Sequence, residues 1–218
     1  VHEMSTSEQQ VTANGTETAG IVADAEAMIA TLEAAPSTQD AIDEGREISA
    51  IVDTLGLPEE LVAATLLYPL ARDKVLDTKS LKNNRISNIS QVITDLVQLG
   101  RFSLPAGWKP GEALAARQSE ALRKMLLAVV SDARLVLVRI AEQLDRLRQA
   151  KDAAPDEQRA LALETREIYA ALANRLGVWQ LKWELEDLSF RYLEPDTYTQ
   201  IATALREKRT ERIEFIDR

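Results

Sequence analysis

Along most of the chain, apolar residues recur every three to four positions, the spacing that gathers them on one face of an α-helix. From Ala19 a first stripe runs through Ile21, Val22, Ala25, Met28, Ile29 and Leu32. Pro36-Ser37-Thr38 interrupts it, with Ser37 or Thr38 placed to cap a second helix carrying Ile42, Ile48, Ile51, Val52 and Leu55. Gly56 is a left-handed terminator for that helix. Pro58 then opens a third, with Glu59 and Glu60 at its positive end. Leu61, Val62, Thr65, Leu66 and Leu70 form its apolar face, and Pro69 must end or kink it. A short helix is predicted over Ser90 to Leu99. Residues 102–111, with two prolines and two glycines, read as a loop.

Beyond Glu112 two stripes follow, Leu122, Met125, Leu126, Val129 and Val130, then Leu135, Val136, Ile140, Leu144 and Leu147. Ser131-Asp132 is positioned to cap the second. Pro155-Asp156 opens a helix through Leu161, Tyr169, Leu172 and Leu176, closed by Gly177; Val178 to Leu193 forms another, and Pro195 starts the last. No strand-like alternation is long enough to name, and no repeat of solenoid period occurs. The expectation is an all-α chain: a polar tail over 1–18, one helical domain of about eight to ten helices over 19–193, and a helix over 194–218 leading out of it.

Composition supports this and narrows the chemistry. Only 8 glycines and 7 prolines occur in 218 residues, while Ala, Leu, Glu, Arg and Gln, which cost least in a helix, dominate. There is no cysteine, which excludes disulfides and thiolate-bound zinc. No apolar run approaches a membrane span and no secretory segment is visible, so a cytoplasmic chain with no membrane partner is expected. A net charge of −9 argues against direct nucleic-acid binding. Arg206, Lys208, Arg209 and Arg212, interleaved with Glu207 and Glu211, read as a solvated helix face.

The single histidine is His2, so nucleophile–histidine hydrolysis and any metal site of several imidazoles are excluded. Neither common glycine-rich phosphate loop is present. Two stretches stand out. In Ala170-Ala-Leu-Ala-Asn-Arg-Leu-Gly177 and the following Trp179 to Asp187, Arg175 is expected to pair with a carboxylate such as Glu184. Trp179 and Trp183, four apart on one face, are expected in the core. In Ala63 to Asp73, a helix ends in a polar cluster beside a proline.

The runs LRKMLLAVVSDARLVLVRIAEQLDRLR (122–148) and IYAALANRLGVWQLKWELEDLSFRYL (168–193) resemble the N-terminal domain of the RelA/SpoT family. A weaker likeness extends over most of the chain. The resemblance implies a fold of the HD type, a helical bundle. In the family this domain removes the 3′-pyrophosphate of (p)ppGpp with a manganese ion held by two histidines and two aspartates, helped by a Glu-Asp pair. On that alignment the first histidine falls at Glu44, the His-Asp pair at Tyr68-Pro69, and the Glu-Asp pair at Arg72-Asp73. The later aspartate falls at Glu142, and an asparagine near the guanine base falls at Arg146.

The resemblance therefore implies a degenerate hydrolase site with its manganese-binding set lost, so no cofactor is expected. It resembles the RelA-type branch of GTP pyrophosphokinases, which make (p)ppGpp in the stringent response. The expected partner is the synthetase domain of the same polypeptide, with any ribosome contact made through regions absent from this chain. Two alternatives stay open: a module sensing ppGpp or GTP without turnover, with Arg72 and Arg146 as phosphate contacts, and a weak phosphohydrolase using Glu44, Asp73 and Glu142 as an oxygen-only site.

Overall fold

The computed structural model describes residues 20–32, 36–83, 86–99, 108–109, 122 and 132–216. Among these the chain is all-α, without a strand. The expected loop over 102–111, apart from Trp108 and Lys109, lies outside the described residues. So does the expected stripe from Leu122 to Val130, apart from Leu122 itself. Packing divides the chain into two compact units, residues 1–102 with 115–145, and residues 103–114 with 146–218.

In the first unit, α1 (residues 20–30) and α2 (Pro36–Thr54) precede α3 (Glu59–Arg72), with α4 (Ser90–Leu99) after two 3-10 turns. Because α2 already begins at Pro36, Ser37 and Thr38 fall inside its first turn. Every residue of α3 from Leu61 to Ala71 is buried. Its sequence, LVAATLLYPLA, is apolar around the whole circumference, which suits a central helix better than the one-sided face its periodicity suggested. Ala25 and Ile29 of α1, Ala41 and Ile42 of α2, and Ile93 of α4 share one buried cluster with Ala63, Leu66, Leu67 and Leu70 of α3.

Two local features set how α3 presents its last turn. A Cβ built at Gly45 of α2 would run into the carbonyl oxygen of Leu66, so only glycine permits this approach of the two helices. Pro69 neither ends the helix at once nor prevents its last turn: α3 runs on to Arg72. It then stops in a Schellman motif, with Val75 N–H on Leu70 O (2.9 Å) and Lys74 N–H on Ala71 O (3.2 Å). Lys74 takes the left-handed position at φ 62, where glycine is usual.

The helix α5 (Ala133–Gln149) starts behind a cap, as expected: Asp132 accepts from the backbone N–H of Arg134 at 3.0 Å. It buries Val136, Val138, Ile140, Ala141 and Leu144, but also Arg139, Glu142, Gln143 and Asp145. A helix that buries four polar side chains is organised around more than packing.

The second unit holds α6 (Pro155–Glu164), a π-turn over Thr165–Tyr169, α7 (Ala170–Arg175), α8 (Trp179–Leu193) and α9 (Pro195–Ile216). Leu147, Ala162 and Leu193 form its buried centre, with Leu161, Leu188 and Tyr192 against them. Gly177, at φ 72, ends α7 in a second Schellman motif, with Val178 N–H on Ala173 O at 3.0 Å. Two expectations fail here. Trp179 and Trp183 are not core: they are 55% and 64% exposed, because α8 turns its Leu181, Leu185 and Leu193 stripe inward. Glu184 pairs not with Arg175, which is exposed, but with Arg148, at 2.6 and 2.8 Å.

Candidate functional site

In the first unit, α2, the end of α3 and α5 bring five of the seven residues singled out in the sequence into one polar cluster. Arg72, in the last turn of α3, is its hub. The guanidinium donates to both oxygens of Glu44 on α2, at 2.6 and 2.5 Å, in a two-pronged pair. It donates equally to both oxygens of Asp73, at 2.8 and 2.9 Å. A further contact from Nη1 reaches Glu142 Oε1 on α5 at 3.3 Å. The helix C-terminus favours a cation at this position too.

Glu142 is 2% exposed and serves a second guanidinium. Its Oε2 accepts from Arg139, one turn earlier on α5 and equally buried. The Tyr68 hydroxyl, buried beneath Arg72, accepts from Arg139 at 2.9 Å and donates to Glu142 Oε2 at 3.3 Å. The Arg72 guanidinium carbon lies 5.6 Å from the Tyr68 ring centre, adding a cation–π contact. Burial works against the charged form of Arg72, but hydrogen bonds to Glu44 and then Asp73, with their charges, raise its pKa above the ordinary arginine value. Arg72 is a permanent cation.

Pro69 and Arg146 are the other two residues singled out. Pro69 is buried within α3 and supplies no polar group to the cluster. Arg146 lies one turn beyond Glu142 on α5, partly exposed, and belongs to the second unit. Arg139 was not anticipated. The signal was available: an arginine three residues before Glu142 shares its helix face, and that face lies within an apolar stripe.

This geometry also bears on what the cluster can bind. A divalent ion needs several lone pairs converging on one point, with imidazole or carboxylate donors and room for water. Here the carboxylate oxygens of Glu44, Asp73 and Glu142 converge on guanidinium groups. Among the described residues no group of three or more His, Cys, Asp or Glu side chains is arranged to hold a metal.

A family profile described as "HD domain" matches residues 22–179. The chain belongs to the HD-domain family, in its RelA/SpoT group. The HD domain is 41% identical over 172 residues to a GTP pyrophosphokinase of Photobacterium angustum, covering 79% of this chain and 23% of that protein. It is 38% identical over 176 residues to a GTP pyrophosphokinase of Escherichia coli, covering 79% and 23%. A probable guanosine-3′,5′-bis(diphosphate) 3′-pyrophosphohydrolase of Synechocystis is 34% identical over 165 residues, covering 76% and 21%. The chain thus spans less than a quarter of the length of the curated relatives it matches, and these relatives carry both synthetic and hydrolytic names. No helix among the described residues is long and apolar enough to cross a membrane.

Proposed function

We propose that this HD domain is a catalytically inactive relative of the (p)ppGpp hydrolases that serves a GTP pyrophosphokinase of the RelA type as a structural and regulatory domain. The observation that carries this reading is the position of Arg72. Its guanidinium is held by Glu44, Asp73 and Glu142, the three carboxylates left at the positions of the family's metal site and water-activating pair. A fixed side-chain cation takes the electrostatic role of the ion but provides no open coordination position and no activated water. The domain keeps the fold and a charge-balanced centre without hydrolytic chemistry, and it requires no manganese.

Its partner on this reading is a synthetase domain of the same polypeptide. The similarity to two GTP pyrophosphokinases supports that assignment. The sensing alternative, in which Arg72 contacts a phosphate, is disfavoured by the two-pronged pairing of Arg72 with Glu44 and Asp73. Two measurements test the proposal. The isolated chain, incubated with ppGpp and Mn²⁺, is expected to release no pyrophosphate even at high protein concentration; release proportional to protein would refute inactivity. Removing residues 1–193 from the full-length protein is expected to change the rate or the activation of (p)ppGpp synthesis. An unchanged rate and unchanged activation would refute the regulatory role.

A further inference from the structure

The second unit carries a groove of about 400 Å³ that has no part in the Arg72 cluster. Three cations from three separate elements line it: Lys151 from the 3-10 turn at Ala150–Asp152, Arg191 from α8 and Arg206 from α9. No carboxylate is among the lining residues themselves, in a chain whose net charge is −9, while the hydroxyl of the lining Tyr198 donates to Asp187 Oδ2 at 3.3 Å. The carboxylate of Asp152 lies 3.9 Å from Lys151, but both side chains are strongly exposed, so solvent screens the pair.

The other polar groups narrow the ligand further. The hydroxyls of Thr199 and Thr203 donate to the Pro195 and Thr199 carbonyl oxygens, and the Tyr192 hydroxyl donates to Leu147 O. Donors toward a ligand therefore come chiefly from the cationic heads, which select an anion. Two are arginines, whose planar forks match phosphate oxygens. The groove also meets Pro195, the first residue of the 22-residue helix α9, whose amino end carries positive potential. Its volume is of the size that holds a small organic ligand.

We propose that this groove binds a small phosphorylated anion, with its phosphates among Lys151, Arg191 and Arg206. Such an anion could be inorganic or carried on a nucleoside, and the two sources are separable by titration. Calorimetry of the 218-residue chain at low ionic strength, with inorganic pyrophosphate, ADP and GDP in parallel, is expected to give saturable one-site binding to at least one, with a Kd below ~1 mM. Binding of pyrophosphate alone assigns an inorganic ligand, and stronger binding of ADP or GDP assigns a nucleotide; either supports the site. Lys151→Ala with Arg191→Ala, both exposed positions, is expected to weaken binding at least about tenfold with an unchanged circular dichroism spectrum. Arg72→Ala is expected to leave the affinity unchanged, which separates this site from the reading of the Arg72 cluster. No saturable binding of any of the three up to about 10 mM, or an affinity indifferent to the double substitution, would overturn the proposal.

Discussion

The pair between Arg72 and Glu44 offers the sharpest test of how the candidate site is held together. Two parallel hydrogen bonds at 2.6 and 2.5 Å join side chains that are 12% and 19% exposed. A hydrogen bond to a charged group contributes about 1.5–3 kcal/mol, and truncating one partner of a buried pair costs about 3–5 kcal/mol. The lower part of that range applies here. Asp73 is 45% exposed, so its share is screened to about 0–1 kcal/mol. Glu142 keeps Arg139 and Tyr68 when Arg72 is removed. Arg72→Ala is therefore expected to destabilise the first unit by about 3 kcal/mol. The double-mutant cycle with Glu44→Ala should return a coupling of about 2 kcal/mol.

The assay must report on the correct unit. Trp108, Trp179 and Trp183 all fall in the second, so tryptophan fluorescence would follow the wrong transition. Hydrogen exchange of the α3 amides in urea follows the first, with circular dichroism reporting the helices of both. Arg72→Lys should recover only part of the loss, since an ammonium keeps the charge but not the fork. A coupling below about 0.5 kcal/mol would mean that the pair is no stronger than a surface salt bridge, and the account of Arg72 as hub would fail.

Three further substitutions probe the elements that position this hub. Gly45→Ala should destabilise by about 1–3 kcal/mol, because its Cβ meets the Leu66 carbonyl; helix propensity alone would stabilise by about 1 kcal/mol, so the sign of the change in urea midpoint decides. Lys74→Gly should raise stability by about 0.5–1 kcal/mol by relieving the left-handed backbone at φ 62, and a loss of stability would refute the motif. Asp132→Ala should cost about 1 kcal/mol at neutral pH through the lost cap. The Arg134 hydrogen bond holds the Asp132 carboxyl below the usual range, so its charge-linked contribution is present above about pH 4 and lost as pH falls through the lower folded value. The stability difference between wild type and Asp132→Ala should shrink in acid; one that is constant from about pH 6 to pH 3 would refute the charged cap.

What was legible in the chain follows from which interactions are local. Helices α1 to α4 and α5 to α9 follow the 3.6-residue period, and Gly56 and Gly177 mark ends because both sit at positive φ that glycine adopts at little cost. The same motif at the end of α3 was illegible, since Lys74 carries no such signature. On α8 two apolar stripes competed, Trp179 and Trp183 against Leu181, Leu185 and Leu193. Residue size favoured the tryptophans, whereas the leucines extend over the full helix and won the core. The Arg148–Glu184 pair spans 36 residues, beyond the reach of any local pattern.

At the candidate site, the family resemblance singled out five residues of the cluster but could not show that they act together. On the family resemblance, tyrosine at 68 and arginine at 72, taken singly, are the loss of a metal ligand and of one member of the water-activating pair. In the fold they are linked: Arg72 neutralises Glu44 and Asp73, Tyr68 lies beneath it, and Arg139 with the Tyr68 hydroxyl shares Glu142. Without the guanidinium groups the three carboxylates would repel one another in a largely buried place, a cost that metal binding otherwise offsets. On the proposed reading, the substitutions are then a coupled exchange of one cation for another. Restoring a histidine at position 68 alone would leave Arg72 in place, so recovery of metal binding requires Arg72 to go first.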